Sequence, residues 1–280
     1  PLLTLLSSLF WSSYVYAGAG GGVASGTACA NGATTLVGCA IGTSDTTYTI
    51  TGDITPADGV RGIAFTDSAD NNNLTLFGNI STEDAYGISL QVADFNTINM
   101  TGNISTTTTR AHGLVLLGSA SNTINLTGNI TTTGNAAYGL YLETSVSNTT
   151  NLTGNITTAG DTADGLVLLG SASNTINLTG NITTTGAGAH GLVLVDSNSN
   201  TITITGDIIT SGTGGNSEPI LLNNSDSNTF TLSGAVHSLG EDQAIAVNAT
   251  SQNNTFTFKQ GASFIGGLEN NGGSTNKLIF

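Results

Sequence analysis

Hydrophobic and polar residues alternate along most of this chain. In the stretch NTINLT, Ile124 and Leu126 alternate with polar residues, and Leu140 and Leu142 do the same in the stretch YGLYLE. Between the two stretches, Ile130 stands alone among polar neighbours. A period of two predicts half-buried β-strands, and no part of this region sustains the 3.6-residue period of an amphipathic helix. Each unit therefore predicts three short strands joined by turns.

The three-strand unit repeats along the chain. The text SNTINLTGNITTTG occurs twice, letter for letter, starting at Ser121 and at Ser173. One glycine of each unit recurs at intervals of 24 to 28 residues, most often 26. A fixed period of this length is typical of solenoids, propellers and other repeat arrays. One unit has too few apolar residues for a core of its own, so neighbouring units must stack to bury them.

The stacking predicts two files of buried apolar residues, with consecutive members about 4.8 Å apart. One file is Ile54, Ile80, Ile104, Ile130, Ile156, Ile182, Ile208 and Val236, and the other is Ile88, Leu114, Leu140, Leu166 and Leu192. A propeller needs about 40 residues per repeat, and neither a six-residue phase nor the calcium-binding motif G-G-x-G-x-D is present. The predicted fold is all-β: a right-handed parallel β-helix of about nine rungs, with three short strands per 26-residue rung.

An asparagine precedes each of these units in phase. The file contains Asn72, Asn96, Asn122, Asn148, Asn174, Asn200, Asn228 and Asn254. Asparagine tolerates the unusual backbone angles of turns, and its amide can also bond to the rungs on either side. These residues are therefore either solvated turn residues or an inward ladder, and we expect a ladder over at least part of Asn96 to Asn254.

The beginning of the chain differs from the repeats. An apolar run from Leu2 to Tyr16 is followed by Ala17-Gly18-Ala19, which is typical of a secretory signal peptide and its cleavage site. We assign residues 1–19 to a signal peptide clipped at its N-terminus, with a buried N-terminal helix as the alternative. Residues 20–45 are expected to form a cap or linker. Residues 46–280 are expected to form the β-helix, truncated within its last rung.

Two cysteines, Cys29 and Cys39, lie in the expected cap. In the oxidising compartment that a signal peptide implies, such a pair predicts one short-loop disulfide. Their spacing is not that of a C-x-x-C redox motif, and two cysteines without further ligands nearby make a poor zinc site.

The composition excludes some partners. Only 8% of the residues are charged, against roughly 25% in typical proteins, and the net charge is -14 from 18 acidic and 4 basic residues. Nucleic-acid binding needs clustered Lys and Arg, so we expect no nucleic-acid partner. Anionic membrane surfaces would repel the chain.

The rungs SNTINLTGNITT and YGLYLETSVSNTTNLTGNI, preceded by a signal segment, resemble the passenger domains of bacterial autotransporters over roughly Tyr48 to Phe280. The resemblance implies export to the cell surface or secretion, and adhesion, display or self-association as the role. It also implies a C-terminal outer-membrane barrel, which this sequence does not contain. The implied partners are host or neighbouring cell-surface molecules, or further copies of the chain.

Candidate chemistry is sparse. His112 and His190 occupy one repeat position, shared with Tyr86, Tyr138 and Asp164. Rung spacing puts the two histidines about 14 Å apart, which is too far to share a metal ion or a proton, so we interpret them as turn residues. His237 stands alone. We expect no catalytic, cofactor-binding or metal-binding residues, and no cofactor.

The charged residues offer one enzymatic hypothesis. Asp84 and Arg110, with Asp58, Arg61 and Glu83 nearby in the repeat, are expected within ion-pair reach on consecutive rungs. Such a cluster suggests a polysaccharide lyase or hydrolase, because paired carboxylates can cleave a glycosidic bond. The alternative, which we favour, is an exposed ion pair worth under about 1 kcal/mol.

Two outward files of threonine form the last candidate. They are Thr97, Thr123, Thr149, Thr175, Thr201, Thr229 and Thr255, and Thr101, Thr127, Thr153, Thr179 and Thr205. Such files resemble the surfaces of ice-binding solenoids, although threonine is also simply a good strand former and asparagines lie between the files. The third strand has apolar outward residues, among them Val115, Val167 and Val193, which predicts either a contact surface or a covered face. We therefore expect an adhesion or display protein, with a polysaccharide enzyme and an ice-binding solenoid as alternatives.

Overall fold

The computed structural model describes residues 28–30, 32, 38–213, 216–240, 243–271 and 275–280. Over these residues the chain forms a parallel β-solenoid of about nine turns, with about 26 residues per turn and no helix. The all-β solenoid predicted from the repeat is thus confirmed. The predicted signal peptide, residues 1–19, lies outside the described residues.

Three sheets run along the solenoid, and every strand pairs in parallel with the equivalent strand of the next turn. Sheet A consists of β1 (Cys39–Ile41), β3 (Ile63–Phe65), β6 (Ile88–Gln91), β9 (Leu114–Leu117), β12 (Leu140–Glu143), β15 (Leu166–Leu169), β18 (Leu192–Val195), β21 (Ile220–Asn223), β24 (Gln243–Val247) and β27 (Gly267–Asn270). Sheet B consists of β5 (Ile80–Thr82), β8 (Ile104–Thr106), β11 (Ile130–Thr132), β14 (Ile156–Thr158), β17 (Ile182–Thr184), β20 (Ile208–Thr210), β23 (Ala235–Ser238) and β26 (Ser263–Ile265). Sheet C consists of β2 (Thr47–Thr51), β4 (Asn73–Phe77), β7 (Thr97–Thr101), β10 (Thr123–Thr127), β13 (Thr149–Thr153), β16 (Thr175–Thr179), β19 (Thr201–Thr205), β22 (Thr229–Leu232), β25 (Thr255–Phe258) and β28 (Lys277–Ile279).

The core is built from the predicted apolar files. Ile130 of β11 is in register with Ile104 and Ile156 of the neighbouring turns, and all three side chains are buried. Leu140 is stacked in the same way between Leu114 and Leu166. Burying a side chain of this size stabilises a fold by about 1.5–3 kcal/mol. Because every turn presents the same environment, the same residue types recur in each one.

The asparagine file forms the expected inward ladder. Oδ1 of Asn174 accepts both the backbone N–H of Asn148, at 2.9 Å, and its side-chain amide, at 3.2 Å. The pattern recurs from turn to turn, and the file is buried from Asn72 to Asn254. A parallel file of buried serines runs beside it, in which the backbone N–H of Ser145 donates to Oγ of Ser171 at 3.0 Å. Both ladders satisfy backbone groups in the turn between sheets A and C, where strand pairing is absent.

The turn between sheets C and B requires glycine. Gly154 has a φ of +144°, and a Cβ atom there would lie 2.1 Å from the carbonyl oxygen of Gly128 in the preceding turn. Gly102, Gly128 and Gly180 have nearly the same geometry. Only glycine permits both this φ and the close backbone approach, which explains why the residue recurs in phase.

The predicted disulfide is formed between Cys29 and Cys39, whose Cα atoms are 4.9 Å apart. Cys39 also begins β1, which pairs with β3 of the next turn. The segment expected as a cap or linker, residues 20–45, thus contributes the first strand of sheet A.

Candidate functional site

The outer surface of sheet C is the most regular feature of the molecule. From β2 to β25, every outward position of the sheet's strands is threonine or asparagine, with Phe77 as the one exception. We call this surface the threonine face. Its side chains are partly or fully exposed, while the alternate residues of the same strands are buried. The face arises because the strands have period two: each five-residue strand from β2 to β19 places three residues outward, and the four-residue strands β22 and β25 place two.

The middle file of the threonine face is hydrogen-bonded from Asn99 to Asn177, where its members are asparagines. The side-chain amide of Asn125 donates to Oδ1 of Asn99 at 2.8 Å, Asn151 donates to Asn125 at 2.8 Å, and Asn177 donates to Asn151 at 2.9 Å. The hydroxyls of the flanking threonines, such as Thr123 and Thr127, have no side-chain hydrogen bond within the described part of the chain. The asparagines are thus held in place by each other, whereas the threonine hydroxyls face solvent.

The threonine face has no charged side chain from β2 to β25. No Asp, Glu, Lys or Arg occurs in the strands of sheet C from β2 to β25, although the chain carries a net charge of -14. The acidic residues of the described part lie in turns or in sheet A. A neutral surface on a strongly acidic chain is suited to a neutral partner.

The apolar outward positions of sheet A do not form a contact surface. Val115, Val167 and Val193 are 0%, 6% and 6% exposed, so the strip is covered. Part of the cover comes from side chains of the adjacent turn, because the ring of His112 contacts the ring of Tyr141 at 5.2 Å between centroids. Of the two interpretations of this strip, the covered face is confirmed and the contact surface is wrong.

His112 belongs to a file of residues in equivalent positions along one edge of sheet A, which we call the edge file: Arg61, Tyr86, His112, Tyr138, Asp164, His190 and Glu218. In its first half the guanidinium of Arg61 lies 5.0 Å from the centre of the Tyr86 ring. The ring of His112 is stacked between those of Tyr86 and Tyr138, at 5.2 and 4.8 Å. Nδ1 of His112 accepts the backbone N–H of Tyr138. Burial, together with the charge of Arg110, lowers the pKa of His112 to about 3, so the ring is neutral at ordinary pH.

The second half of the edge file is ionic. Nδ1 of His190 lies 3.1 Å from Oδ1 of Asp164, and Nε2 lies 3.0 Å from Oε2 of Glu218. The second contact is not aligned as a hydrogen bond. Burial alone would lower the pKa of His190, but its contacts with Asp164 and Glu218 outweigh burial and raise the pKa to about 9. His190 is therefore a cation between two carboxylates, and Glu218 in turn has a lowered pKa because its contact with His190 outweighs burial.

We call Asp164, His190 and Glu218 the ionic triad. The sequence repeat does not predict it, because Glu218 follows His190 by 28 residues rather than 26. The repeat position shared by Tyr86, His112, Tyr138, Asp164 and His190 can be recognised in the sequence. In the next turn Pro219 takes the place of the glycine that follows this position, so its next member is Glu218. The two histidines do not contact each other, in agreement with their expected separation. Within the described ranges, no group of three His, Cys, Asp or Glu side chains is arranged to hold a metal ion.

The predicted ion pair of Asp84 and Arg110 is wrong. The turn before Gly113 is two residues longer than the turn before Gly87, so Thr108 rather than Arg110 is stacked on Asp84. The hydroxyl of Thr108 donates to Oδ1 of Asp84 at 3.0 Å. Arg110 is exposed, with a φ of 60°, and its backbone N–H donates to Asn135 of the following turn.

The other members of that predicted cluster are also dispersed. Arg61 is 5% exposed, belongs to the edge file and donates to Gln91 at 2.6 Å. Asp58 and Glu83 are exposed turn residues. His237 lies on the outer side of β23 in sheet B, in register with Ile209. The structure thus brings none of the predicted enzymatic residues together.

Over the described residues, no helix is long and apolar enough to cross a membrane. The chain matches no protein-family model, no curated protein and no solved structure. What the structure establishes is a parallel β-solenoid of about nine turns with a neutral threonine face.

Proposed function

We propose that this protein is an extracellular binding solenoid, secreted or displayed on a bacterial cell surface in the manner of an autotransporter passenger, and that it binds through the threonine face. The observation that carries the proposal is the neutrality and regularity of that face on a chain of net charge -14. Solvated strands tolerate Lys and Glu readily, so their absence from every strand of sheet C between β2 and β25 points to a surface with a use of its own.

Two further features support the proposal. The Cys29–Cys39 disulfide suits an oxidising, extracellular compartment, because cytosolic thiols are kept reduced. The repeats SNTINLTGNITT and YGLYLETSVSNTTNLTGNI are similar to passenger rungs, which implies adhesion, display or self-association. On this basis the partners are neighbouring cell surfaces or further copies of the chain. Contacts that are weak singly add up when the same group is presented in every turn.

We do not propose that the protein is an enzyme acting on polysaccharides. It depended on Asp84 and Arg110 acting together, and Asp84 instead accepts a hydrogen bond from Thr108. No other observation favours that reaction class.

The proposal can be tested by displaying the whole chain on a non-adherent bacterium through an outer-membrane anchor. We expect the displaying cells to aggregate with each other or to be retained on a layer of epithelial cells. A double variant on the threonine face, Thr149→Lys with Thr175→Lys, should abolish the effect, because these residues are neighbours in register on β13 and β16. The matched control is Thr157→Lys with Thr183→Lys, which adds the same charges to neighbouring, equally exposed positions of sheet B. Display without adhesion, or equal loss in both variants, would refute the threonine face as the binding surface.

A further inference from the structure

The threonine face presents a two-dimensional array of hydroxyl groups. Within a file, Thr123, Thr149 and Thr175 are in register, so their hydroxyls repeat about every 4.8 Å along the solenoid. Along a strand, alternate outward residues such as Thr123, Asn125 and Thr127 are about 6.6 Å apart. Both spacings are set by the backbone and recur in each turn. A partner that engages the whole face must therefore be periodic in two directions.

The asparagine file does not interrupt this array. The amides of Asn99, Asn125, Asn151 and Asn177 bond to each other at 2.8–2.9 Å, so they form a third regular file with fixed side chains. The buried ladders and the parallel pairing below the face hold the strands themselves in register. A surface that is ordered before binding does not lose side-chain entropy on contact, which favours binding through many weak contacts.

The chemistry of the face further restricts the kinds of partner that it can bind. The face is neutral, so it offers nothing to an ionic lattice or a charged polymer. Apart from Phe77, it has no aromatic ring on which a sugar ring could pack. A threonine hydroxyl donates one hydrogen bond and accepts up to two, so each hydroxyl of the array can take part in a hydrogen-bonded lattice of water molecules.

Together these features lead us to infer that the threonine face has a further ligand, ice, with the threonine hydroxyls occupying positions of the outermost water layer. The inference goes beyond the proposed function, because it gives the same face a second ligand besides a cell surface or another copy of the chain. It requires no further site, since the array in β7, β10, β13 and β16 is already complete.

The test uses the purified whole chain. We expect it to be taken up into slowly grown ice, to inhibit ice recrystallisation and to produce thermal hysteresis. Thr149→Lys with Thr175→Lys should lose all three effects, because two long charged side chains at the centre of the face prevent close contact with a crystal surface. The sheet B control, Thr157→Lys with Thr183→Lys, should retain them. Circular dichroism of both variants establishes that the strands are intact.

Several outcomes would overturn the inference. They are exclusion of the chain from growing ice, equal activity in the two double variants, and co-sedimentation with crystalline cellulose or chitin in place of ice uptake. The proposed function is judged separately by the cell-display assay. Loss of adhesion in the sheet C variant without any ice activity would reject ice as a ligand while keeping the threonine face as the binding surface.

Discussion

Asn148 and Asn174 lie one turn apart, and a single oxygen, Oδ1 of Asn174, accepts two hydrogen bonds from Asn148, one from its backbone and one from its side chain. Both residues are 1% exposed. Water cannot replace either bond, so each turn depends on the asparagine of the next one to satisfy its turn backbone.

Replacing Asn174 with alanine should therefore be costly. The change leaves two buried donors of Asn148 without their acceptor: the backbone N–H and one N–H of the side-chain amide, whose other N–H donates to the carbonyl of Ser119. Each unsatisfied buried donor costs about 1–3 kcal/mol. We expect the free energy of unfolding to fall by about 3 kcal/mol or more, measured as a lower midpoint in urea.

The control for this prediction is Asn151→Ala. Asn151 belongs to the outer asparagine file, where solvent can replace the lost bonds to Asn125 and Asn177. We expect its loss to stay under about 1 kcal/mol. Equal losses in the two variants would mean that the inward ladder has no special role in stability.

Thr150 is a polar residue among the apolar residues of the buried face of sheet C. It is stacked between Ile124 and Ile176 and is 1% exposed, and its hydroxyl has no hydrogen-bond partner among the described residues. Valine has nearly the same shape without the hydroxyl, so Thr150→Val should raise the free energy of unfolding by about 1–2 kcal/mol. Thr149→Val, on the outward side of the same strand, should change it little. A loss of stability in Thr150→Val would contradict the view that this hydroxyl is unsatisfied.

The glycine of the turn between sheets C and B admits no side chain. Gly154→Ala forces a Cβ atom against the carbonyl of Gly128, at 2.1 Å, and that atom belongs to the backbone and cannot move aside. We expect a loss of more than about 3 kcal/mol in thermal or urea unfolding. Gly59 also has a positive φ, +74°, but open space around it, so Gly59→Ala should cost only about 1–2 kcal/mol of backbone strain. Comparable losses would show that φ alone, without the close approach, explains the recurrence of glycine.

The repetition explains why so much of the fold could be predicted. Ile130 and Asn148 each have equivalents one turn away in the same environment, so the period of the sequence reveals their neighbours without any knowledge of three-dimensional structure. Arg110 could not be placed in this way, because its turn is two residues longer than that of Asp84. The contact of His190 with Glu218 was hidden by a similar change in length. Contacts between turns of equal length can therefore be predicted from the sequence, whereas contacts next to a turn of different length require the three-dimensional structure.

The two histidines of the edge file predict opposite responses to pH. The pKa of His190 is raised to about 9, above the unfolded value of about 6.5, so its contribution to stability is fully present below pH 6.5 and is lost as the pH rises through 9. With about 1.4 kcal/mol per pKa unit, the rise from 6.5 to about 9 makes this contribution at most about 3.5 kcal/mol. We expect the melting temperature to fall as the pH rises from 6.5 to 9. His190→Gln should remove this dependence on pH, because glutamine does not titrate.

His112 provides the contrast within the same edge file. Burial lowers its pKa to about 3, so folding favours the neutral ring, and this contribution is lost as the pH falls from 6.5 towards 3. Glu218, whose pKa is lowered, also loses its contribution at acid pH. His112→Gln should therefore flatten part of the acid side of the plot of melting temperature against pH and leave the slope between pH 6.5 and 9 unchanged. His190→Gln should remove the slope between pH 6.5 and 9, and it should also flatten part of the acid side, because Glu218 then loses the contact that lowers its pKa. A changed slope between pH 6.5 and 9 in His112→Gln, or an unchanged slope there in His190→Gln, would contradict the opposite protonation states assigned to the two rings.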